Sequence, residues 1–167
     1  RRAHRCRPRG AGCLGGSAGS STAKLERHLL CFDRKDGKQL WDRAEPAKQP
    51  EDPYDGMLAE HGYASSTPVS DGERVYAFYG KSGVYAYDLD GKELWRRPMK
   101  LTQTEYGASS SPIVAGENVI QLLDQDGGSH LVALNRRTGE VAWRVERPEM
   151  RRGFGTPLVW THDGASD

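Results

Sequence analysis

The chain has 167 residues, of which 36% are hydrophobic and 28% charged, and its formal net charge is +1. This composition is typical of a globular protein, and the near-neutral charge excludes the strong positive field that general nucleic-acid binding requires. No apolar stretch is long enough to cross a membrane, so no transmembrane segment is expected.

Residues 1–27 are predicted to be a disordered or non-native lead-in. Five arginines stand within residues 1–10, and glycine and serine fill much of residues 15–21. A basic run of this kind could also be a nucleic-acid-binding arm or part of a targeting segment, and the sequence leaves that alternative open. The 3 cysteines, Cys6, Cys13 and Cys31, are odd in number and lack paired spacing, so neither a disulfide framework nor a zinc site is expected. Cys31 is expected to be a small buried residue.

From residue 28 onward the sequence repeats. Residues 31–41 read CFDRKDGKQLW, residues 86–95 read AYDLDGKELW and residues 133–143 read ALNRRTGEVAW. Each copy places a glycine four residues before a tryptophan. Gly37, Gly91 and Gly139 are therefore predicted to form tight hairpin turns, with the tryptophans buried at equivalent places on the strands that follow. Those tryptophans are Trp41, Trp95 and Trp143.

Each full repeat predicts four strands. The first repeat gives strands at 64–69, 74–79, 84–88 and 92–97, and the second gives strands at 108–114, 118–124, 129–135 and 141–146. Turns rich in Gly, Asp and Asn separate them, and no segment has a helical period. The sequence therefore predicts an all-β fold built from four-stranded antiparallel meanders.

The repeat interval identifies the architecture. Pro68, Pro112 and Pro157 are 44 and 45 residues apart, which is the length of one β-propeller blade. Residues 28–167 are thus predicted to be part of a β-propeller, with two complete blades, the end of a preceding blade at 29–43 and the opening strand of another at 153–160. Because propellers close with roughly four to eight blades, we interpret the chain as a fragment. A short chain that assembles blades from several copies is the alternative.

One segment interrupts the repeat. Residues 44–61 form an inter-blade insertion rich in proline and acidic residues, predicted to be a solvated extended loop. Inserted loops of this kind often form the rim of a propeller's binding surface, although a tolerated surface loop is the simpler interpretation.

The docking segment with Ala133, Asn135, Thr138, Gly139 and Trp143 resembles the tryptophan-docking repeat of the PQQ-type, or quinoprotein-like, β-propellers. Asn135 replaces that family's Asp, and the other two copies also depart from the pattern. Propellers that close each repeat with a Trp-Asp pair are a weaker match, since only Trp41 is followed by Asp. The resemblance implies a bacterial protein that is periplasmic or secreted.

The resemblance leaves two functions open. The family includes quinone-dependent dehydrogenases, assembly-factor lipoproteins of the outer-membrane barrel machinery, and propellers that serve only as binding platforms. The first hypothesis is a non-catalytic platform, with no cofactor, for a protein or small ligand. The alternative is part of a PQQ- and calcium-dependent alcohol or sugar dehydrogenase, which would imply adjacent cysteines and a calcium site of carboxylate and Asn; neither pattern is present in these residues.

No catalytic or metal-binding residue is predicted. The repeated serines 65, 66, 109, 110 and 111 are expected to be structural, because a hydrolase needs one unique nucleophile with an oriented base. A binding site is instead predicted at the mouth of the central channel, where the residues ahead of each first strand combine different charges with aromatic rings. These residues are His61, Tyr63, Glu105, Tyr106, Arg152 and Phe154.

Overall fold

The computed structural model describes residues 9–10, 22–53, 56, 58, 62–102, 108–162 and 165–166. They form four antiparallel sheets that follow one another along the chain, with the strands of each sheet in sequence order. The fold is all-β, as predicted.

The first sheet contains β1 (Arg9–Gly10), β2 (Glu26–Phe32) and β3 (Gln39–Pro46), and a 3-10 turn at Thr22–Lys24 precedes β2. The second contains β4 (Val69–Ser70), β5 (Arg74–Phe78), β6 (Val84–Asp88) and β7 (Glu93–Arg97). The third contains β8 (Ile113–Ala115), β9 (Asn118–Leu123), β10 (His130–Asn135) and β11 (Val141–Glu146). The last is the hairpin of β12 (Thr161–His162) and β13 (Ala165–Ser166).

The middle blade is buried on both faces. Along β5 and β6, Val75, Tyr76, Val84 and Tyr87 are fully buried although successive side chains point to opposite faces. One face packs against Leu29 of the first sheet, and the other packs against the third sheet. This two-sided burial is what stacked blades require, and it explains the nearly continuous run of apolar residues in these two strands.

The first strand of each repeat is shorter than predicted. β4 starts at Val69 rather than Ala64, and β8 starts at Ile113 rather than Ala108. Residues 153–160, predicted to be a strand, lie outside regular structure, and the hairpin begins at Thr161. A proline within each of these segments lacks the backbone N–H that a strand pairing needs.

Hydroxyl groups connect these segments between neighbouring repeats. The backbone N–H of Thr67 donates to Oγ of Ser111 at 2.9 Å, and the N–H of Ser111 donates to Oγ1 of Thr156 at 3.4 Å. Ser66 Oγ donates to the carbonyl oxygen of Ser110 at 3.0 Å. The repeated hydroxyl residues therefore hold consecutive blades together, which is a structural role.

In the first two sheets, a tryptophan docks on the glycine turn of the next sheet. The indole N–H of Trp41 donates to the carbonyl of Leu89 at 2.9 Å, and a β-carbon at Gly91 would lie 2.7 Å from the Trp41 ring. In the next pair, Trp95 donates to the carbonyl of Arg136 at 3.1 Å, and a β-carbon at Gly139 would lie 2.5 Å from its ring. Only glycine leaves room for this ring at the positive φ of the turn.

An arginine two residues after the tryptophan strengthens each docking contact. Arg43 donates through Nε to the carbonyl oxygen of Gly91, and Arg97 does the same to Gly139. The third copy has Val145 at this place.

Trp143 is not buried, contrary to the prediction. It is 38% exposed, whereas Trp95 is 9% exposed and Trp41 is partly buried. Its environment differs because Trp41 and Trp95 each pack on the glycine turn of the next sheet, whereas no described residue covers Trp143 in that way. Burial of this tryptophan depends on a neighbour and not on its own repeat.

The first sheet extends beyond its predicted bounds at both ends. β2 begins at Glu26, two residues before the predicted start of the propeller, and β3 extends to Pro46, into the predicted insertion.

Cys31 is fully buried, as expected, but it takes part in a disulfide, which the odd cysteine count did not predict. Within the described residues, no helix is long and apolar enough to span a membrane.

Candidate functional site

The strand register places all inter-blade connections on one face of the molecule. Val84 pairs with Arg97, so the turn between β5 and β6 lies beside the end of β7. His130 pairs with both Leu123 and Glu146, which places the turn between β9 and β10 beside the end of β11. We call this side the loop face.

A cleft opens on the loop face, with about 620 Å³ of space between its atoms when the open solvent at its mouth is included. The insertion, the middle blade and the third sheet all contribute to its wall, which contains both polar and apolar residues. Residues of the wall that bear on binding are Arg27, Asp52, Tyr63, Lys81, Ser109 and Asp124.

A buried ion pair anchors the insertion to the first blade. Nη2 of Arg27 lies 2.5 Å from a carboxylate oxygen of Glu51, and both side chains are only 3% exposed. Nε of Arg27 donates to the carbonyl oxygen of Tyr63 at 3.0 Å. Because an unpaired charge would be costly to bury, the pair holds Glu51, in the middle of the insertion, close to β2, and the second bond holds Tyr63, just after the insertion.

A second ion pair ties the insertion to the middle blade. Nζ of Lys81 lies 2.5 Å from Oδ1 of Asp52, and the hydroxyl of Tyr63 donates to the backbone carbonyl of Asp52 at 2.5 Å. Ala47, Asp52 and Leu58 are buried. The prediction of a solvated loop is therefore wrong for these residues of the insertion, because its polar groups pair with the blades and its apolar groups pack beneath it.

The third sheet closes the other side of the cleft. Asp124 is nearly buried and forms two hydrogen bonds with Arg147, at 2.9 and 3.2 Å. Gln125 accepts from the backbone N–H and the hydroxyl of Thr102, at 2.8 and 3.2 Å. These contacts fix the turn after β9 against the connection that leads into the third sheet, so the wall is rigid here.

The cleft wall holds three buried polar atoms that have no hydrogen-bond partner among the described residues. They are Nη1 of Arg27 and the hydroxyl oxygens of Ser109 and Ser110. Buried polar atoms in proteins are nearly always hydrogen-bonded, so atoms with unused capacity at a cleft indicate a place where a polar ligand group can bind.

Three of the six residues predicted at the channel mouth lie among the described residues. Tyr63 lines the cleft, where its carbonyl and hydroxyl serve the two ion-pair networks. Arg152 pairs with Asp126 at 2.5 Å on the turn after β9, and Phe154 is 50% exposed; neither lines the cleft. The other three, His61, Glu105 and Tyr106, lie outside the described residues. The binding role of all six stays a prediction.

Sequence analysis missed the buried charges of the cleft. Arg27 fell within the predicted lead-in, and Glu51 and Asp52 were counted among the acids of a solvated loop. No local signal distinguishes these charges from surface charges, because each partner lies 24 or 29 residues away. In the sequence, the one feature that pointed to a site here was the position of the insertion between two blades.

The residues of the cleft do not fit a quinone–calcium group. Among the described residues, no three His, Cys, Asp or Glu side chains stand together in a way that could hold a metal ion. Cys31 belongs to β2, and it does not line the cleft. We therefore derive no catalytic step through such a group.

A family model described as outer membrane protein assembly factor BamB, of the PQQ repeat type, matches residues 11–162. The chain belongs to this family. No curated protein sequence is significantly similar to the chain.

Solved structures of quinoprotein dehydrogenases share the fold. Quinohemoprotein alcohol dehydrogenase ADHIIG of Pseudomonas putida HK5 is 16% identical, with a TM-score of 0.54. The matched region covers 74% of this chain and 18% of that protein. A europium-containing methanol dehydrogenase is 15% identical with a TM-score of 0.52, with coverages of 82% and 27%. The quinohemoprotein alcohol dehydrogenase of Comamonas testosteroni is 18% identical with a TM-score of 0.51, with coverages of 74% and 19%. The chain thus spans only 18% to 27% of the length of these enzymes, and the likeness shows the fold alone.

Proposed function

We propose that these residues are part of a non-catalytic, PQQ-type propeller that serves as a binding platform, with its binding site in the cleft on the loop face. The observation that carries this proposal is the group of buried polar atoms in the cleft wall, at Arg27, Ser109 and Ser110, that have no partner among the described residues. They offer hydrogen bonds that the described part of the fold does not use, and the two buried ion pairs hold the insertion in place around them.

The partner that we propose is a protein segment. The family description names an assembly factor for outer membrane proteins, which is a protein-binding role. The cleft combines cationic and hydroxyl groups with the apolar side chains of Leu58, Phe78 and Leu101. An extended polypeptide presents the same mixture of carbonyl oxygens and apolar side chains, and it can bind without any catalytic group.

We also propose that the protein is periplasmic or secreted. The family description refers to the outer membrane, and a disulfide at Cys31 is typical of proteins in an oxidising compartment.

A photocrosslinking amino acid tests the binding site. We place it at Ser65, which is exposed and lines the cleft, in the bacterial protein that contains this chain. The matched control is Glu73, an exposed residue in the turn at the opposite edge of the middle blade. Irradiation should give a protein adduct at Ser65 and none at Glu73. Equal adducts at both positions, or none at Ser65, would contradict the proposal.

The alternative function is a PQQ- and calcium-dependent dehydrogenase. Its metal ligands and adjacent cysteines would have to come from outside the described residues. Incubation of the whole protein with PQQ and Ca²⁺, followed by alcohol-dependent dye reduction, distinguishes the two: activity would reject the non-catalytic proposal.

A further inference from the structure

Arg27 occupies a position at which the other two blades carry a buried serine. In each sheet this position lies four residues before the residue that pairs with the tryptophan of the repeat. The three residues there are Arg27, Ser82 and Ser129. All are buried, with 3%, 6% and 1% of their surface exposed. The repeat therefore accommodates a small hydroxyl side chain at this position, and the arginine is specific to the first sheet.

The two serines use their hydroxyl groups within the fold. Oγ of Ser82 accepts a hydrogen bond from the backbone N–H of Lys48 at 3.1 Å. Oγ of Ser129 accepts from the N–H of Gln125 at 2.9 Å and donates to the carbonyl oxygen of Met150 at 2.9 Å. Lys48 and Met150 each belong to a segment that leads from one sheet to the next. The side chain at this position thus has a structural role, which is to hold such a segment.

Arg27 has the same structural role, but one of its nitrogens is not needed for it. Nε and Nη2 bind Tyr63 and Glu51, in the segment between the first and second sheets. Nη1 is buried and has no partner among the described residues. Because a guanidinium only donates hydrogen bonds, Nη1 offers its N–H groups to an acceptor that the described residues do not supply.

The guanidinium and the segment that leads into β8 lie against the same glycine of the cleft. A β-carbon built at Gly80 would lie 3.8 Å from Nη2 of Arg27 and 3.9 Å from the β-carbon of Ala108. Ser109, the next residue, lines the cleft, and its buried hydroxyl has no partner among the described residues. A hydroxyl can donate or accept, so a ligand group that combines an acceptor with a donor matches this place.

The charges of the cleft wall already compensate one another. Within the described residues, every charged side chain of the wall is bound to one of opposite sign. The pairs are Arg27 with Glu51, Lys81 with Asp52, and Asp124 with Arg147. A carboxylate bound at Nη1 would lie beside Glu51 and share one guanidinium with it. Since like charges held close together at a binding site repel each other, a second anion is disfavoured there.

We propose that Arg27 binds the uncharged amide group of a peptide unit in the cleft and discriminates against carboxylates. The amide carbonyl accepts from Nη1, and the amide N–H beside it supplies the donor. This inference rests on the proposed function, because it assigns the ligand chemistry of the same cleft. Leu58, Phe78 and Leu101 line the cleft as well and offer apolar contacts to a side chain next to that peptide unit.

Two isosteric probes test the charge selectivity. Isocaproamide and isocaproate carry the same branched apolar tail and differ only in their amide and carboxylate groups. Each is titrated into the selectively labelled whole protein at neutral pH, and nuclear magnetic resonance follows the backbone N–H signals of Ser109 and Ser110. The amide should shift these signals and bind at least about tenfold more tightly than the carboxylate. Equal binding, tighter binding of the carboxylate, or no shift with the amide would overturn the proposal.

A double variant tests the role of Arg27 itself. Arg27→Met with Glu51→Leu removes Nη1 together with both charges, and the amide should then bind at least about tenfold more weakly. The matched control is Arg144→Met with Glu146→Leu, which removes an exposed Arg–Glu pair, also 2.5 Å apart, on β11. This control should bind the amide like the wild type. Unchanged binding in the Arg27 variant, or equal weakening in both, would overturn the assignment, and the probe comparison on the wild type does not depend on the folding of either variant.

The result is distinguishable from that of the crosslinking experiment. A protein adduct at Ser65 together with tighter carboxylate binding would reject the amide selectivity and leave the platform function standing. Amide binding without any adduct would reject the platform function and leave the assignment of Arg27 standing.

Discussion

At the scale of the residue, identical repeat positions contribute unequally to stability. Trp95→Ala should lower the free energy of unfolding by about 3–5 kcal/mol, because the ring is buried between the second and third sheets. Trp143→Ala should cost about 1 kcal/mol or less in dilute solution, because the ring is exposed. Urea unfolding of both variants measures the difference, and equal losses would contradict the docking described here.

Asp71 should make stability depend on pH in the acid range. Burial alone would raise the pKa of this carboxyl, but hydrogen bonds from the N–H groups of Glu73 and Arg74 and from the Tyr76 hydroxyl outweigh it and lower the pKa below its ordinary 3.8. The stabilisation is therefore complete above the unfolded-state pKa and is lost as the pH falls through the lower folded-state pKa.

An Asp71→Asn variant isolates this contribution. Its free energy of unfolding should lie below that of the wild type by a constant amount above about pH 5, and the gap should narrow toward pH 2. Unfolding titrations at several pH values measure the gap. A gap that is independent of pH down to pH 2 would show that the charge of Asp71 is not involved.

At the scale of the element, the stability lost when a turn glycine is replaced should depend on what packs against that glycine. Gly91→Ala places a β-carbon against the Trp41 ring, whereas Gly72→Ala, also at positive φ, meets open space. Both substitutions lower the free energy of unfolding because alanine disfavours a positive φ. The additional loss at Gly91, about 1–3 kcal/mol, therefore measures the docking contact. Thermal or urea unfolding gives the comparison, and equal losses would mean that the ring does not pack on Gly91.

The packing of the insertion against the first sheet should depend on the buried ion pair between Arg27 and Glu51. Glu51→Ala leaves the Arg27 guanidinium buried without its carboxylate, which should cost about 3–5 kcal/mol. The double variant Arg27→Met with Glu51→Leu should recover much of that loss, because no charge is then buried. Unfolding free energies and limited proteolysis of the insertion compare the single and the double variant. A Glu51→Ala variant with an unchanged free energy of unfolding would contradict the anchoring role.

The elements differ in how far the sequence predicts them. The strands that flank each glycine turn, β6 with β7 and β10 with β11, were predicted within one or two residues because turn chemistry is local. The first strands were predicted too long, since Ser66 and Thr67 bond to the next repeat and not to their own sheet. The cleft could not be predicted from the sequence, because its ion pairs join Arg27 and Lys81 to residues far along the chain.

At the scale of the whole molecule, the central claim is a row of propeller blades joined by tryptophan docking. The second and third sheets each receive the tryptophan of the preceding sheet, and the strand register places the loop face that carries the cleft. Trp41 and Trp95 belong to complete contacts within the chain, whereas Trp143 is exposed and makes no such contact with the described residues.

Hydrogen exchange of the indole N–H groups tests this claim most directly. Nuclear magnetic resonance resolves the indole signals, and single Trp→Phe changes assign them. The indole protons of Trp41 and Trp95 should exchange slowly because they are hydrogen-bonded between blades, and that of Trp143 should exchange quickly. Rapid exchange at Trp41 and Trp95, or equal protection at all three positions, would contradict the arrangement of blades described here.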